Sequence, residues 1–258
     1  MSFDAFDLTG KVALITGGNG GIGLGMADAI ARAGGAVCIW GTNADKNAAA
    51  AAQLEAHGGD VAAMVCDVSD EDAVEQCFAQ TLERFGHVDG CLANAGVSGR
   101  GALTPFVEMT TQTWERIMGV NLYGTFFTLR AAARHMIERG KGGRLVATAS
   151  LAALSGAARN QHYAATKGAL VSMIYALAVE MARYGITANA ILPGWIETAM
   201  TQSAFDWEKF ANAVKPRIPM RRWGDGDDFG GIAVYLMSDA SAYHNGDILL
   251  IDGGYQKF

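Results

Sequence analysis

Lys11-Val-Ala-Leu-Ile-Thr-Gly-Gly-Asn-Gly-Gly-Ile-Gly23 is the stretch on which the reading of the fold turns. Lys11 to Thr16 is a short apolar run that reads as a buried strand, and glycines follow it at once. A helical run at 26–33 comes next. In a strand that passes through glycines into a helix, the backbone can approach a pyrophosphate, and the helix amino terminus favours its negative charge. Two glycine spacings fit, GxGxxG at Gly18, Gly20 and Gly23, and GxxxGxG at Gly17, Gly21 and Gly23. A tight turn with no ligand is the competing reading, and the position after the first strand favours a nucleotide site.

Outward from this unit the chain keeps alternating. Strands are predicted at 36–40, 61–65, 88–93, 144–149, 187–192 and 248–251, with helices at 44–57, 70–85, 110–139 (kinked near Gly124), 161–184 and 229–237. Near-continuous apolar strands separated by helices imply a parallel sheet covered on both faces. The expectation is an α/β, doubly wound (Rossmann-type) sheet of seven strands in the order 3-2-1-4-5-6-7. Its ligand crevice would lie at the strands' carboxyl ends. No linker, charge block or repeat divides the chain, so one domain spanning residues 1–258 is expected.

Composition narrows the function. Half of the residues are hydrophobic and 18% are charged, which suits a compact chain and argues against disorder. With a net charge of −6 and no basic cluster, a nucleic-acid partner is not expected. Cys38, Cys66, Cys77 and Cys91 form no CxxC, and His57, His87, His135, His162 and His244 form no HxxxH, so free thiols and no catalytic metal are expected. The start, 1–7, lacks a basic region followed by an apolar core, so no signal peptide is visible. The greasy helix at 168–182 looks too short to span a bilayer. These readings point to a cytoplasmic chain with no membrane association.

Tyr163 and Lys167 stand four apart, on one face of a helix. An ammonium beside a phenol favours the phenolate. At an effective dielectric near 20, a charge ~4 Å away is worth at most roughly 4 kcal/mol, or about three pK units below the usual tyrosine value near 10. That brings the tyrosine into range for acid/base work. Ser150, 13 residues upstream of Tyr163, ends an apolar run at 144–149 and can donate to the same substrate oxygen. An ordinary amphipathic helix is the alternative for the Tyr/Lys pair alone.

Taken together, these motifs resemble the classical short-chain dehydrogenases/reductases, from Lys11 to Gly254. Thr16–Gly23 is similar to that family's TGxxxGIG, which selects the spacing at 17, 21 and 23. Asp67-Val68 stands where the family contacts adenine, and Asn94-Ala95-Gly96 matches its NAG strand end. Asn121 matches the NxxG asparagine, Ser150 the serine, Tyr163 and Lys167 the YxxxK pair, and Pro193-Gly194 with Ile196 and Thr198 the PGxxxT motif. One departure is Ala149-Ser150, where many members have two serines.

The resemblance implies hydride transfer between a nicotinamide cofactor and a small-molecule ketone or secondary alcohol. Tyr163 would be general acid and base. Lys167 would lower its pKa and bind the nicotinamide ribose. Ser150 would polarise the carbonyl, and Asn121 would hold a relay water. The implied cofactor site comprises Gly17, Asn19, Gly21, Ile22, Gly23, Thr42, Asn43, Asp67, Val68, Asn94, Ala95, Gly96, Tyr163, Lys167, Pro193, Gly194, Ile196 and Thr198. Several have plainer alternatives: helix capping for Asp67, a strand-end cap for Ser150, a helix kink for Asn121 and packing for His162 and Trp195. Asn94 reads as structural, bonding nearby backbone. A non-catalytic dinucleotide-binding regulator is the other class of function; it would be expected to lose the tyrosine or lysine, and this chain keeps both.

Residues 199–223 stand where the family has a substrate lid. Their Met200, Phe205, Trp207, Phe210 and Met220 suggest an apolar or aromatic ketone, although acyl, sugar and steroid carbonyls share this fold. A homotetramer is expected from the apolar helix at 161–184 and the closing segment at 248–258. For the cofactor, an NAD site usually has an acidic residue at the end of the second strand. Here that strand ends Ile39-Trp40-Gly41-Thr42-Asn43, so the carboxylate that would repel a 2′-phosphate is missing. The family's basic NADP marks are also missing, at Thr42 and Gly20. Thr42 and Asn43 can donate hydrogen bonds to a phosphate and Lys46 could reach it. The balance favours NADP, with NAD possible, and Gly41→Asp is expected to reverse the preference.

Overall fold

The computed structural model describes residues 4–99 and 104–257. Seven strands pair in parallel in the order β3-β2-β1-β4-β5-β6-β7: β1 (Val12–Thr16), β2 (Ala36–Gly41), β3 (Val61–Val65), β4 (Gly90–Ala93), β5 (Gly143–Thr148), β6 (Ile186–Pro193) and β7 (Ile248–Ile251). The helices are α1 (Gly21–Arg32), α2 (Ala44–Glu55), α3 (Glu71–Phe85), α4 (Thr111–Met118), α5 (Gly124–Arg139), α6 (Ala152–Ser155), α7 (Gln161–Met181), α8 (Gln202–Phe205), α9 (Glu208–Val214) and α10 (Gly230–Met237).

Both faces of the sheet are apolar because successive side chains point to opposite sides. On β2, Val37 and Ile39 pack with Met26 and Ile30 of α1, Leu54 of α2 and Phe229 and Leu236 at α10. Cys38 and Trp40 face the other way, towards Phe78 of α3, Leu129 and Met136 of α5 and Leu170 and Ile174 of α7. Strand β1 lies between β2 and β4, with Thr16 level with Trp40 on one side and Ala93 on the other. The chain order reverses there, which opens a crevice at the carboxyl ends.

Three helices add detail to the sequence reading. Helix α1 begins at Gly21 rather than near Met26, and its interior glycines allow close backbone approach. A Cβ on Gly25 would lie 2.1 Å from the Gly226 carbonyl oxygen. The expected kink near Gly124 is a π-helical turn, Gly119–Tyr123, joining α4 to α5. The apolar helix is also longer than the segment judged too short to span a bilayer. With the turn Ala182–Tyr184 it reaches 24 residues, enough by length and composition to cross one. It is instead a core helix, with Lys167, Leu170, Ile174, Ala178 and Met181 buried.

Candidate active site

The ends of β1, β4, β5 and β6 converge on one crevice. After β1, Gly17 and Gly21 adopt φ +64° and +52°, values side chains rarely accept. A Cβ on Gly23 would lie 2.2 Å from the Gly17 carbonyl oxygen, so the loop must fold tightly onto the start of α1. At the end of β4, Asn94 donates through Nδ2 to the Thr16 carbonyl at 3.1 Å, and the Asn94 and Ala95 N–H groups both donate to Thr16 Oγ1 at 3.0 Å. Asn94 therefore ties two strand ends together, as its structural reading holds.

Helix α7 brings Tyr163 and Lys167 over the end of β5. Lys167 is 4% exposed, and its Nζ donates to the Thr148 carbonyl at 2.7 Å. Burial lowers its pKa from 10.5 to about 8. Its Nζ lies 5.6 Å from the centroid of the Tyr163 ring. Ser150 Oγ accepts the Ala152 N–H at 3.1 Å, which leaves the hydroxyl hydrogen free to point elsewhere. Asn121 is fully buried in the π-helical turn. Its Nδ2 donates to the Val97 carbonyl at 2.9 Å, and its Oδ1 accepts the Val97 N–H at 2.8 Å. The carboxamide thus clamps the loop after β4.

Two cavities meet here. One of about 300 Å³ is lined by Gly17, Asn19, Gly21, Ile22, Asn94, Ala95, Gly96, Pro193, Ile196, Thr198 and Lys167, all anticipated, and also by Gly20 and Lys46. The second, about 510 Å³, is walled by Ser98, Ser155, Asn160, Trp195, Ser203, Trp207, Phe210 and Tyr255. Ser150, Tyr163, Gly194, Met200 and Thr201 line both. From the segment 199–223, Met200, Thr201, Ser203, Ala204, Trp207 and Phe210 line the second cavity, with Trp195 edge-on to Phe210 at 5.0 Å.

Other residues singled out from sequence stand elsewhere. Gly23 packs under the loop, and Asn121 is behind Gly96. Asp67 Oδ1 accepts the Ser69 N–H and hydroxyl at 2.9 and 2.7 Å, whereas Asp70 caps α3. The buried Val68 packs against Gly124. Thr42 is exposed, and Asn43 caps α2 by accepting the Lys46 N–H at 2.8 Å. None of these six lines the first cavity. Of the two flanking residues, Trp195 lines the second cavity, while His162 is wholly buried beside Gly99 and held neutral by desolvation.

Sequence reasoning missed Asn47. It is 3% exposed, bonds Gly41 and Met64, and accepts from Asn19. One polar residue in an alanine-rich helix was its only signal. The expected Gly41→Asp reversal also meets an obstacle, because a Cβ there would lie 2.2 Å from Asn19 Nδ2.

The first cavity suits a dinucleotide: its cradle leaves no room for side chains at Gly17 and Gly21, and the amino end of the 12-residue α1 opens beside it. Among the described residues no cluster of three or more potential metal ligands forms. The four cysteines are free and buried, and desolvation raises Cys38 to about 11 and Cys91 to about 12, so these thiols are poor nucleophiles.

The model of a family described as enoyl-(acyl carrier protein) reductase matches residues 17–256. The L-rhamnose 1-dehydrogenase (NAD(P)(+)) of Azotobacter vinelandii is 37% identical over 251 residues, covering 96% of this chain and 97% of its own. The 2-dehydro-3-deoxy-D-gluconate 5-dehydrogenase of Bacillus subtilis is 39% identical over 253 residues, covering 98% and 97%. A solved gluconate 5-dehydrogenase of Burkholderia cenocepacia, in complex with NADP and tartrate, superimposes with a TM-score of 0.92 at 36% identity, covering 99% of this chain and 98% of that one. With the family match spanning most of its length and relatives aligned end to end, the chain belongs to the short-chain dehydrogenase/reductase family and is an NAD(P)-dependent dehydrogenase acting on CH–OH.

Proposed function

We propose that this chain is an NADP-preferring oxidoreductase of a sugar-like secondary alcohol or its ketone, with Tyr163 as general acid and base. The observation that carries the reading is the meeting of two cavities at Ser150 and Tyr163, directly over buried Lys167. The residues lining the first cavity would hold a nicotinamide cofactor, whose chemistry when bound would be to supply the hydride in reduction and accept it in oxidation. Tyr163 gives its phenolic proton to the carbonyl oxygen in reduction and takes it back in oxidation. Ser150 already accepts the Ala152 N–H, so its own hydrogen is available for the same substrate oxygen. Lys167, charged below about pH 8, favours the phenolate and would bind the nicotinamide ribose from the floor of the first cavity. Asn121 shapes the corner beside Gly96 and Lys167 in which a relay water would be held.

The substrate reading rests on the second cavity. Trp195, Trp207 and Phe210 offer apolar faces, and Ser98, Ser155, Asn160 and Ser203 offer polar groups. That mixture fits the apolar ring face and hydroxyls of a carbohydrate better than a purely aromatic ketone. The relatives' substrates, L-rhamnose and gluconate-type acids, agree with it.

The cofactor reading rests on the absence of a carboxylate at Gly41 and on Lys46, which lines the first cavity near the capped start of α2. Purified protein assayed with L-rhamnose, gluconate and the corresponding ketones should turn over a sugar-type substrate, with kcat/KM favouring NADP. An NAD preference of tenfold or more would reject the cofactor assignment, and no turnover with either cofactor would reject the substrate class.

We also infer a tetramer. Val179 is 83% exposed on α7 and shares an outward apolar face with Tyr175, while Tyr123 and Phe126 are exposed at the start of α5. The closing segment contributes a second expected surface, of which Phe258 lies outside the described residues. Light scattering at micromolar concentration should give four times the chain mass. A monomer mass would overturn the inference.

A further inference from the structure

The end of β2 carries no side chain at Gly41, yet the space beside it is full. Asn47, one turn into α2, donates both amide hydrogens to strand-end carbonyls, Gly41 at 3.0 Å and Met64 at 2.9 Å. With both hydrogens committed to acceptors, its Oδ1 must point the opposite way. There it accepts Nδ2 of Asn19, from the glycine loop, at 2.7 Å. A Cβ built on Gly41 would lie 2.2 Å from Asn19 Nδ2 and 2.6 Å from Asn47 Oδ1. The two carboxamides therefore occupy the volume an acidic side chain at this position would enter. Asn19 lines the first cavity, so the pair reaches its wall through Asn19.

We propose that Asn47 is a positioning residue for cofactor selection. It holds Asn19 across the end of β2, and the neutral pair takes the place of the carboxylate that would select a ribose 2′-hydroxyl. The pair repels no phosphate. Asn19 keeps one amide hydrogen and its carbonyl oxygen for the cavity, so it can serve a phosphate oxygen or a ribose hydroxyl. This inference deepens the NADP reading and rests on it for the identity of the ligand. Its structural half, that the pair fills the acid's place, does not depend on that reading. The consequence is that cofactor preference cannot be reversed at Gly41 alone. A carboxylate introduced there is forced against the Asn47 carbonyl oxygen and displaces Asn19 from the cavity wall.

The test compares Gly41→Asp, Asn47→Ser and the double variant, with Asn19→Ala as a second way of relieving the crowding, read by melting temperature alone. The first readout is the melting temperature of the cofactor-free protein. Gly41→Asp should lower it, and the loss in the double variants should be smaller than the sum of the single losses. The second is the Kd of NADPH and of NADH by fluorescence titration. Gly41→Asp alone should weaken both by tenfold or more. Gly41→Asp with Asn47→Ser should recover NADH to within about threefold of the parent while NADPH stays tenfold weaker. In turnover the changes in the Gly41 and Asn47 variants should fall on the cofactor KM and leave kcat within about twofold. Additive melting losses, or a Gly41→Asp single variant that binds NADH as tightly as the parent, would overturn the proposal. A parent that binds NADH more tightly than NADPH would reject the NADP reading instead, leaving the melting comparison to decide the role of the pair.

Discussion

Tyr163→Phe should lower turnover by ~100-fold or more, since general acid catalysis contributes about 10²–10⁴. In barrier terms that is about 3–5 kcal/mol, at roughly 1.4 kcal/mol for each factor of ten. The substitution removes only the phenolic hydroxyl. The ring stays between the two cavities, and Lys167 keeps its bond to the Thr148 carbonyl. Cofactor affinity should change by less than about threefold, because one hydroxyl is lost from a cavity whose cradle is largely backbone. Steady-state turnover together with cofactor titration separates the two effects. Turnover near the parent level would exclude Tyr163 as the proton donor.

Lys167→Met should have an effect of the same order on turnover and the opposite sign on stability. The ammonium is buried with a single carbonyl partner among the described hydrogen bonds, and desolvation lowers its pKa from 10.5 to about 8. Such a shift corresponds to about 3 kcal/mol of cost for holding the charged form in the fold. Below about pH 8 both folded and unfolded chains carry the proton, so that cost is fully present. Between about 8 and 10.5 the unfolded chain binds a proton that the folded chain has released, so this group makes stability rise with pH across that window. A methionine fills similar space without a charge. The variant should therefore melt no lower than the parent at pH 7 and should lack the parent's rise between pH 8 and 10.5. Turnover should fall by ~100-fold or more, because the phenolate loses its neighbouring cation. A lower melting temperature at pH 7 would show that the Thr148 bond outweighs the buried charge, and retained turnover would remove Lys167 from the reaction.

These expectations combine residues that local pattern reveals with energies that only packing creates. The glycine loop, the four-residue step from Tyr163 to Lys167 and the serine at the end of β5 are short-range features. Helix and strand geometry place such residues with little dependence on the rest of the chain. Asp67 and Val68 were legible as a motif but not as contacts. The Asp67 carboxylate turns back to Ser69, and Val68 is covered at Gly124. The second arrangement depends on how the loop after β3 meets the start of α5.

The sequence alone determined the strand order, the family and most of the residues that gather at the crevice. Strand period, helix period and motif spacing act over a few residues and need no knowledge of the partners. Tertiary structure decided the rest. It buried Lys167 and so lowered its pKa, placed Ser150 and Tyr163 between two cavities, and set aromatic rings opposite polar groups in the second. It also brought Asn47 of α2 onto the ends of β2 and β3 and against the loop after β1. Desolvation, cavity shape and the space left beside Gly41 all depend on residues distant in the chain, whose positions are fixed only when the sheet and its two helical layers pack together.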